Sequence, residues 1–368
     1  SAGSGDRPHP RLPPPNAYHY AAAMSALAKS GRAGRAQTAV RALRSMEEDA
    51  LLGKGDAPNV WVYNAALSAC AVRRWDDAAR DAEELRHPPR DVRNKRREEE
   101  MAVDLLDRME RMSVEHGWDT TPDVVSYNTA LMAVRPRRRG EEADELHTED
   151  LPEVVRLLSR MRDAHMPRNA ATYGNALHSC RYAPRLAARV FREATLDAAF
   201  LRGEGGAPAV RLAPALSTAL SAAARRGGAS GPAIFLSVLR DGMAVGAVPN
   251  ADAPAAFVRC LAGAGRPDDA CAFVRCLAEA SRPDGAEAAA GTFRDRFPGD
   301  APALAALVRA AGGGPPDSAC YSAAISCRVR AGDLEGAADV LRTMRADGRQ
   351  PDEKTYRALA WACCRLAV

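Results

Sequence analysis

The chain has 368 residues, a formal charge of +4 and 46% hydrophobic residues, yet only 5% of it is aromatic. That is enough apolar material for a sizeable core, and its density of Ala suits closely packed helices better than sheet, which favours β-branched and aromatic residues. The nine cysteines contain no CxxC pair; their odd number and scatter argue against a secreted disulfide framework, and no stretch has the length and apolarity of a membrane span.

Residues 1–16, "SAGSGDRPHPRLPPPN", are rich in Pro and read as a coil left after processing or cloning. A phrase then recurs along the chain: "APNVWVYNAALSAC" (57–70), "TPDVVSYNTALMAV" (121–134), "PRNAATYGNALHSC" (167–180) and "PPDSACYSAAISCR" (315–328). Each copy sets a Pro close before an Asp or Asn, and a Tyr four residues after that polar residue. The last complete copy shows the whole unit. Tyr321 and Tyr356 are 35 residues apart, and Tyr321, Ala324, Ile325 and Arg328 fall at helical steps. Gly332 suits the stop of that helix and Asp333 the cap of a second, whose face is Leu334, Ala337, Ala338, Leu341 and Met344. Gly348 and Pro351 end it. "FVRCLAGAGRPDDACAFVRCL" (257–277) repeats the design, with Gly265 at the turn and Ala270, Phe273, Val274 and Leu277 on the second helix.

A helix pair of this kind cannot bury both apolar faces alone, so copies stack. The predicted fold is all-α, a right-handed α-solenoid of antiparallel helix pairs in about eight repeats. They are placed at 17–59, 60–123, 124–169, 170–212, 213–250, 251–284, 285–317 and 318–352, with a half repeat over 353–368. The unit at 285–317 is degenerate. In 60–123 the second helix is either Trp75–Arg86 or Met101–Met112; Ala102, Leu105, Leu106 and Met109 favour the latter and leave the former as part of an insertion over 73–101. A second insertion, 135–153, holds "RPRRRGEEADELHTED". Both charge runs read as solvated loop. Seven cysteines (Cys70, Cys180, Cys260, Cys271, Cys276, Cys320 and Cys327) lie in helix interiors, where a thiol packs like Ala, and this favours a reducing compartment.

The period of 35, the Tyr at the fourth place, the Ala-Gly turn and the closing Pro-Asp resemble pentatricopeptide repeats of a P-type-like array without a C-terminal catalytic domain. The resemblance implies an organellar protein, of chloroplast or mitochondrion, that holds single-stranded RNA along a concave groove lined by the first helices, one base per repeat. The residue after the Tyr and the last residue of the repeat then read the base, because amides, hydroxyls and carboxylates differ in their donors and acceptors. Carried over, Asn64 with Asp123 resembles a uracil pair, Asn128 with Asn169 a pyrimidine pair, Ser217 with Asn250 an adenine pair and Ser322 with Asp352 a guanine pair. Trp61 and Val125 stand in the base-wedging place, and Lys29, Arg73, Arg225 and Arg330 are the implied phosphate contacts. Ala21, Gly174 and Ala255 occupy the base-reading place with no polar side chain, and Pro214, Asp252 and Lys354 replace an apolar wedge. The bland reading of Asn64 and Asn128 is that they satisfy backbone groups at helix starts.

Catalytic signatures are missing. "HTE" (147–149) has no following CxxC, so the His-x-Glu half of a zinc deaminase stands alone. "GGGPP" (312–316) reads as a linker, and no GxSxG occurs. The sequence calls for no catalytic residue, cofactor or metal. Its partners are single-stranded RNA or, in the alternative, proteins of a large organellar ribonucleoprotein in which the solenoid is a scaffold.

Overall fold

The structure, a computed structural model, describes residues 15–71, 92–134, 152–281 and 297–366, apart from 31, 33, 204, 205, 227, 298, 313 and 314, together with residue 291. The insertions centred on 72–91 and 135–151, the Trp75–Arg86 segment and "HTE" lie outside the described residues, as do residues 1–14. Among the described residues every regular element is a helix, and none is long and apolar enough to cross a membrane.

Two compact units divide these helices. The first holds α1 (Ala17–Lys29), α2 (Arg35–Leu51), α3 (Val60–Cys70), α4 (Val92–His116) and α5 (Val124–Ala133). In the second are α6 (Pro152–Asp163), α7 (Ala170–Ser179), α8 (Pro184–Leu196), the short α9 (Ala198–Arg202), α10 (Pro208–Arg226) and α11 (Gly231–Ala244). It continues with α12 (Ala253–Gly263), α13 (Pro267–Ala280), α14 (Ala301–Ala310), α15 (Ser318–Arg330), α16 (Leu334–Ala346) and α17 (Glu353–Leu366).

The start of a repeat is a cap. Asn59, Asp123, Asn169 and Asp317 each accept a hydrogen bond from the backbone N–H three residues on, opening α3, α5, α7 and α15. Asn16 does the same for α1. Turns within a pair rest on left-handed glycine, as at Gly265 (φ 69°) and Gly332 (φ 80°), a conformation that a Cβ would strain.

Stacking follows the predicted order inside each unit. In the first, α1 packs on α3 and α3 on α5, with α2 and α4 filling in behind. In the second, the first helices run α7, α10, α12, α15, α17, each against the next, and α8 against α11 starts the outer layer. Each unit is an α-solenoid of antiparallel pairs. The second helix of 60–123 is α4, and Ala102, Leu105, Leu106 and Met109 are its buried face.

The repeated Tyr is the centre of each pair. Tyr63, Tyr127, Tyr173 and Tyr321 are all fully buried, and each hydroxyl donates to a carboxylate on a neighbouring helix or its end. Tyr63 meets Glu47, Tyr127 meets Glu110 at 3.1 Å, Tyr173 meets Asp197 at 2.7 Å and Tyr321 meets Asp347. Burial, and then the facing carboxylate, pushes the phenols of Tyr63, Tyr173 and Tyr321 far above the usual tyrosine range. Cations reach two of these carboxylates: Arg108 Nε lies 2.8 and 2.7 Å from the two oxygens of fully buried Glu47, and Arg168 lies 2.9 Å from Asp197. Burial alone raises the thiols of Cys180 and Cys260 to about 12, so they pack as inert apolar groups.

Two expected boundaries differ. Helix α10 starts at Pro208 rather than at 213 and runs through Pro214. A proline ordinarily marks a helix start, and here it removes one hydrogen bond near the first turns, to the carbonyl of Val210, a residue that is exposed. The second difference concerns 285–317. Helices α12 and α13 both pack directly on α15, so among the described residues no helix pair intervenes between 251–284 and 318–352. Its described helix, α14, lies instead against α11 and α12, with Phe297 buried 6.1 Å from Phe257. The segment is an elaboration of one long repeat, 251–317.

Candidate nucleic-acid interface

In the first helices that a side-chain cap opens, the fifth residue lies just over one turn from that cap, on the face that passes the start of the next first helix. Side-by-side packing therefore brings the fifth residue of one repeat to the last residue of the same repeat. Asn64 Nδ2 donates to Asp123 Oδ1 at 3.3 Å. Asn250 Nδ2 donates to Ser217 Oγ at 3.2 Å. Ser322 Oγ donates to Asp352 Oδ1 at 3.2 Å and also meets Thr355 Oγ1 at 2.6 Å. Three of the four predicted pairs thus meet side chain to side chain. The fourth is split between the units: Asn128 stands on α5 of the first, whereas Asn169 caps α7 in the second.

The last residue of a repeat has two tasks at once. Asp123 Oδ1 accepts from Ser126 N at 2.7 Å and Ser126 Oγ at 2.8 Å as well as from Asn64. Burial alone would raise the Asp123 carboxyl, but the bonds from Ser126 and Asn64 outweigh it and hold the group below the usual carboxylate range. Asp352 is built alike, accepting from Thr355 N at 2.8 Å and Thr355 Oγ1 at 2.6 Å. In the Asn64 amide, Oδ1 is shut off from solvent and meets no donor among the described residues.

The second residue of the first helix is turned outward. Trp61 is 75% exposed and Val125 57%, although both are large and apolar. Tyr18, at the same place on α1, is 76% exposed and belongs with them; its equivalence was legible from its position two residues before Tyr20, which follows Pro15-Asn16 by the same four residues as in the other copies. Lys29, Arg225 and Arg330 are exposed near the ends of α1, α10 and α15, while Arg73 lies outside the described residues. Among the described residues no three His, Cys, Asp or Glu side chains gather as a metal site.

The model of the PPR repeat family matches residues 316–365, which span α15, α16 and nearly all of α17. That stretch is therefore similar to pentatricopeptide repeats. No curated protein matches the chain by sequence. Among solved structures, the pentatricopeptide repeat protein PPR10 from maize is similar at 21% identity, with a TM-score of 0.34, over 96% of this chain and 47% of that one. PPR10 in complex with an 18-nt psaJ RNA element is similar at 17% identity, with a TM-score of 0.42, over 95% of this chain and 53% of that one. The chain therefore spans about half the length of those it resembles.

The second unit holds a hollow that gathers several of the residues named above. It is lined by Ser217, Asn250, Asp252, Ala255, Arg259 and Asp317, from or beside α10, α12 and α15. Because 251–317 is one repeat, the residue facing Ala255 is Asp317 rather than residue 284. The Ala255 methyl cannot hydrogen-bond a base, so the polar groups of this repeat are Asp317 and Arg259. Sequence spacing missed both, since the expected repeat at 285–317 put the end of the unit in the wrong place.

Proposed function

We propose that the chain is a non-catalytic, organellar single-stranded RNA-binding protein acting in RNA processing, stability or translation. The observation that carries this reading is the meeting of fifth and last residues: Asn64 with Asp123, Ser217 with Asn250, and Ser322 with Asp352, each a hydrogen-bonded polar pair at a partly exposed site. A buried structural network needs no such exposure, and the same residues sit beside outward apolar side chains, Trp61 and Val125, that fit between unstacked bases. Asn128 and Asn169 read a base in the same manner, and Lys29, Arg73, Arg225 and Arg330 meet phosphate. Organellar location and the RNA role are carried over from the resemblance to pentatricopeptide repeats.

A scaffold subunit of an organellar ribonucleoprotein, binding proteins through the same solenoid, is favoured by one observation. Ala21, Gly174 and Ala255 leave three repeats with no base-reading side chain. Fluorescence anisotropy with labelled single-stranded RNA separates the two. The RNA reading expects binding that weakens with salt, Asn64→Ala relaxing base choice at one position, and Arg330→Ala weakening all sequences alike. Unchanged affinity in both variants would sink the groove assignment.

A further inference from the structure

We propose that Arg259 is a phosphate contact of the bound strand, placed one helical turn nearer the bases than the other cations of the groove; the inference rests on the RNA-binding reading above. Residues at the fifth, ninth and thirteenth places of a repeat, counted from its predicted start, share one face of its first helix, each four residues on and about 6 Å further along the axis. On α1 this column reads Ala21, Ser25, Lys29; on α10, Ser217, Ser221, Arg225; on α15, Ser322, Ser326, Arg330. Each runs from the base-reading place through a small hydroxyl to an exposed cation. On α12 the column reads Ala255, Arg259, Gly263. The cation expected at the thirteenth place is missing, and an arginine occupies the ninth.

The surroundings decide what that arginine faces. Arg259 is exposed and lines the same hollow as Ser217, Asn250 and Asp317, with no carboxylate within ion-pair distance among the described residues. Asp317, also in the lining, is engaged at the start of α15, where it accepts from Cys320 N at 2.8 Å. Asp252 lies 3.5 Å from the Asn250 amide. Ala255, which is buried, adds no polar side chain to the hollow beside Arg259. A guanidinium there offers a fork of N–H donors that fits phosphate oxygens.

The test is the salt dependence of full-chain binding to a fluorescein-labelled single-stranded RNA of random sequence. Each phosphate contact on a single strand contributes about 0.7 to the slope of log affinity against log salt. Arg259→Gln is expected to flatten the slope by ~0.7 and weaken low-salt binding roughly threefold to fivefold. Arg259→Lys keeps the slope. The double variant Arg259→Gln with Gly263→Lys restores it, because a Cβ at Gly263 meets nothing within 4 Å and a cation suits a helix C-terminus. Ser217→Ala changes base preference and leaves the slope alone. A wild-type slope in Arg259→Gln, with a flattened one in Arg330→Gln, overturns the proposal while the RNA reading stands. Salt-independent binding, or none, by the wild-type chain removes both.

Discussion

Replacing Asp123 separates the structural task of a repeat-closing residue from its proposed reading task. Asp123→Ala removes the cap of α5, a loss of typically ~1 kcal/mol. It also strips the acceptor from the hydroxyl of Ser126, which is fully buried, and an orphaned buried donor costs ~1–3 kcal/mol. The sum is about 2–4 kcal/mol. Asp123→Asn keeps an oxygen that caps Ser126 N and forfeits only the charge against the helix start, ~0.3–1 kcal/mol. It nevertheless turns an acceptor-only group into one that also donates, and so alters what the Asn64 pair presents to a base. Repeat arrays open locally, so the assay is amide hydrogen exchange over α5, read beside base preference in a selection from random RNA. The expected result is strong deprotection of α5 in the alanine variant, near-native protection in the asparagine variant, and a changed base preference in both. If the asparagine variant opened as readily as the alanine one and bound the same bases as wild type, Asp123 would be a cap and nothing else.

Acid titration gives a related outcome. The folded carboxyl of Asp123 sits below its unfolded value of about 3.9, so its stabilisation is present above that pH and is lost as pH falls through the folded value. Exchange protection at the start of α5 should therefore hold down to about pH 4 and fall below it, and Asp123→Asn should abolish the dependence. Arg108→Ala leaves the fully buried Glu47 with Tyr63 as its remaining partner among the described residues, and a broken buried pair costs ~3–5 kcal/mol, visible as a lowered Tm. Gly242→Ala places a methyl 3.1 Å from Leu216 Cδ1 and 3.3 Å from Cδ2; overpacking of this kind costs ~1–3 kcal/mol. Gly263→Ala meets open space on α12 and should raise stability by up to ~1 kcal/mol in the same thermal assay.

The helix pairs were legible because two constraints repeat at fixed spacing. A short polar cap must precede a first helix, and one turn later a Tyr must fill the space between helices. The face of α4 followed from Ala102, Leu105, Leu106 and Met109, whose helical spacing survives the long insertion before them. The Asn64–Asp123 and Ser322–Asp352 meetings were legible for the same reason, since side-by-side first helices leave the fifth residue beside the next cap. The carboxylates under the tyrosines were not. Glu47 precedes Tyr63 by 16 residues, whereas Asp197 and Asp347 follow Tyr173 and Tyr321 by 24 and 26, so no spacing marks them. Packing choice, rather than period, selects which neighbouring helix supplies the acid. The two boundary errors share another cause: Pro214 and the poor match over 285–317 are local signals, and direct packing of α12 on α15 overrides them.

The most direct test of the account is retention of random single-stranded RNA by the purified chain at low and at physiological salt, followed by sequencing of the retained pool. The account predicts salt-sensitive retention and an enriched motif in which a uracil stands beside a pyrimidine, as Asn64–Asp123 and Asn128–Asn169 would read it. Absence of retention at either salt would contradict it and leave the solenoid as a protein scaffold.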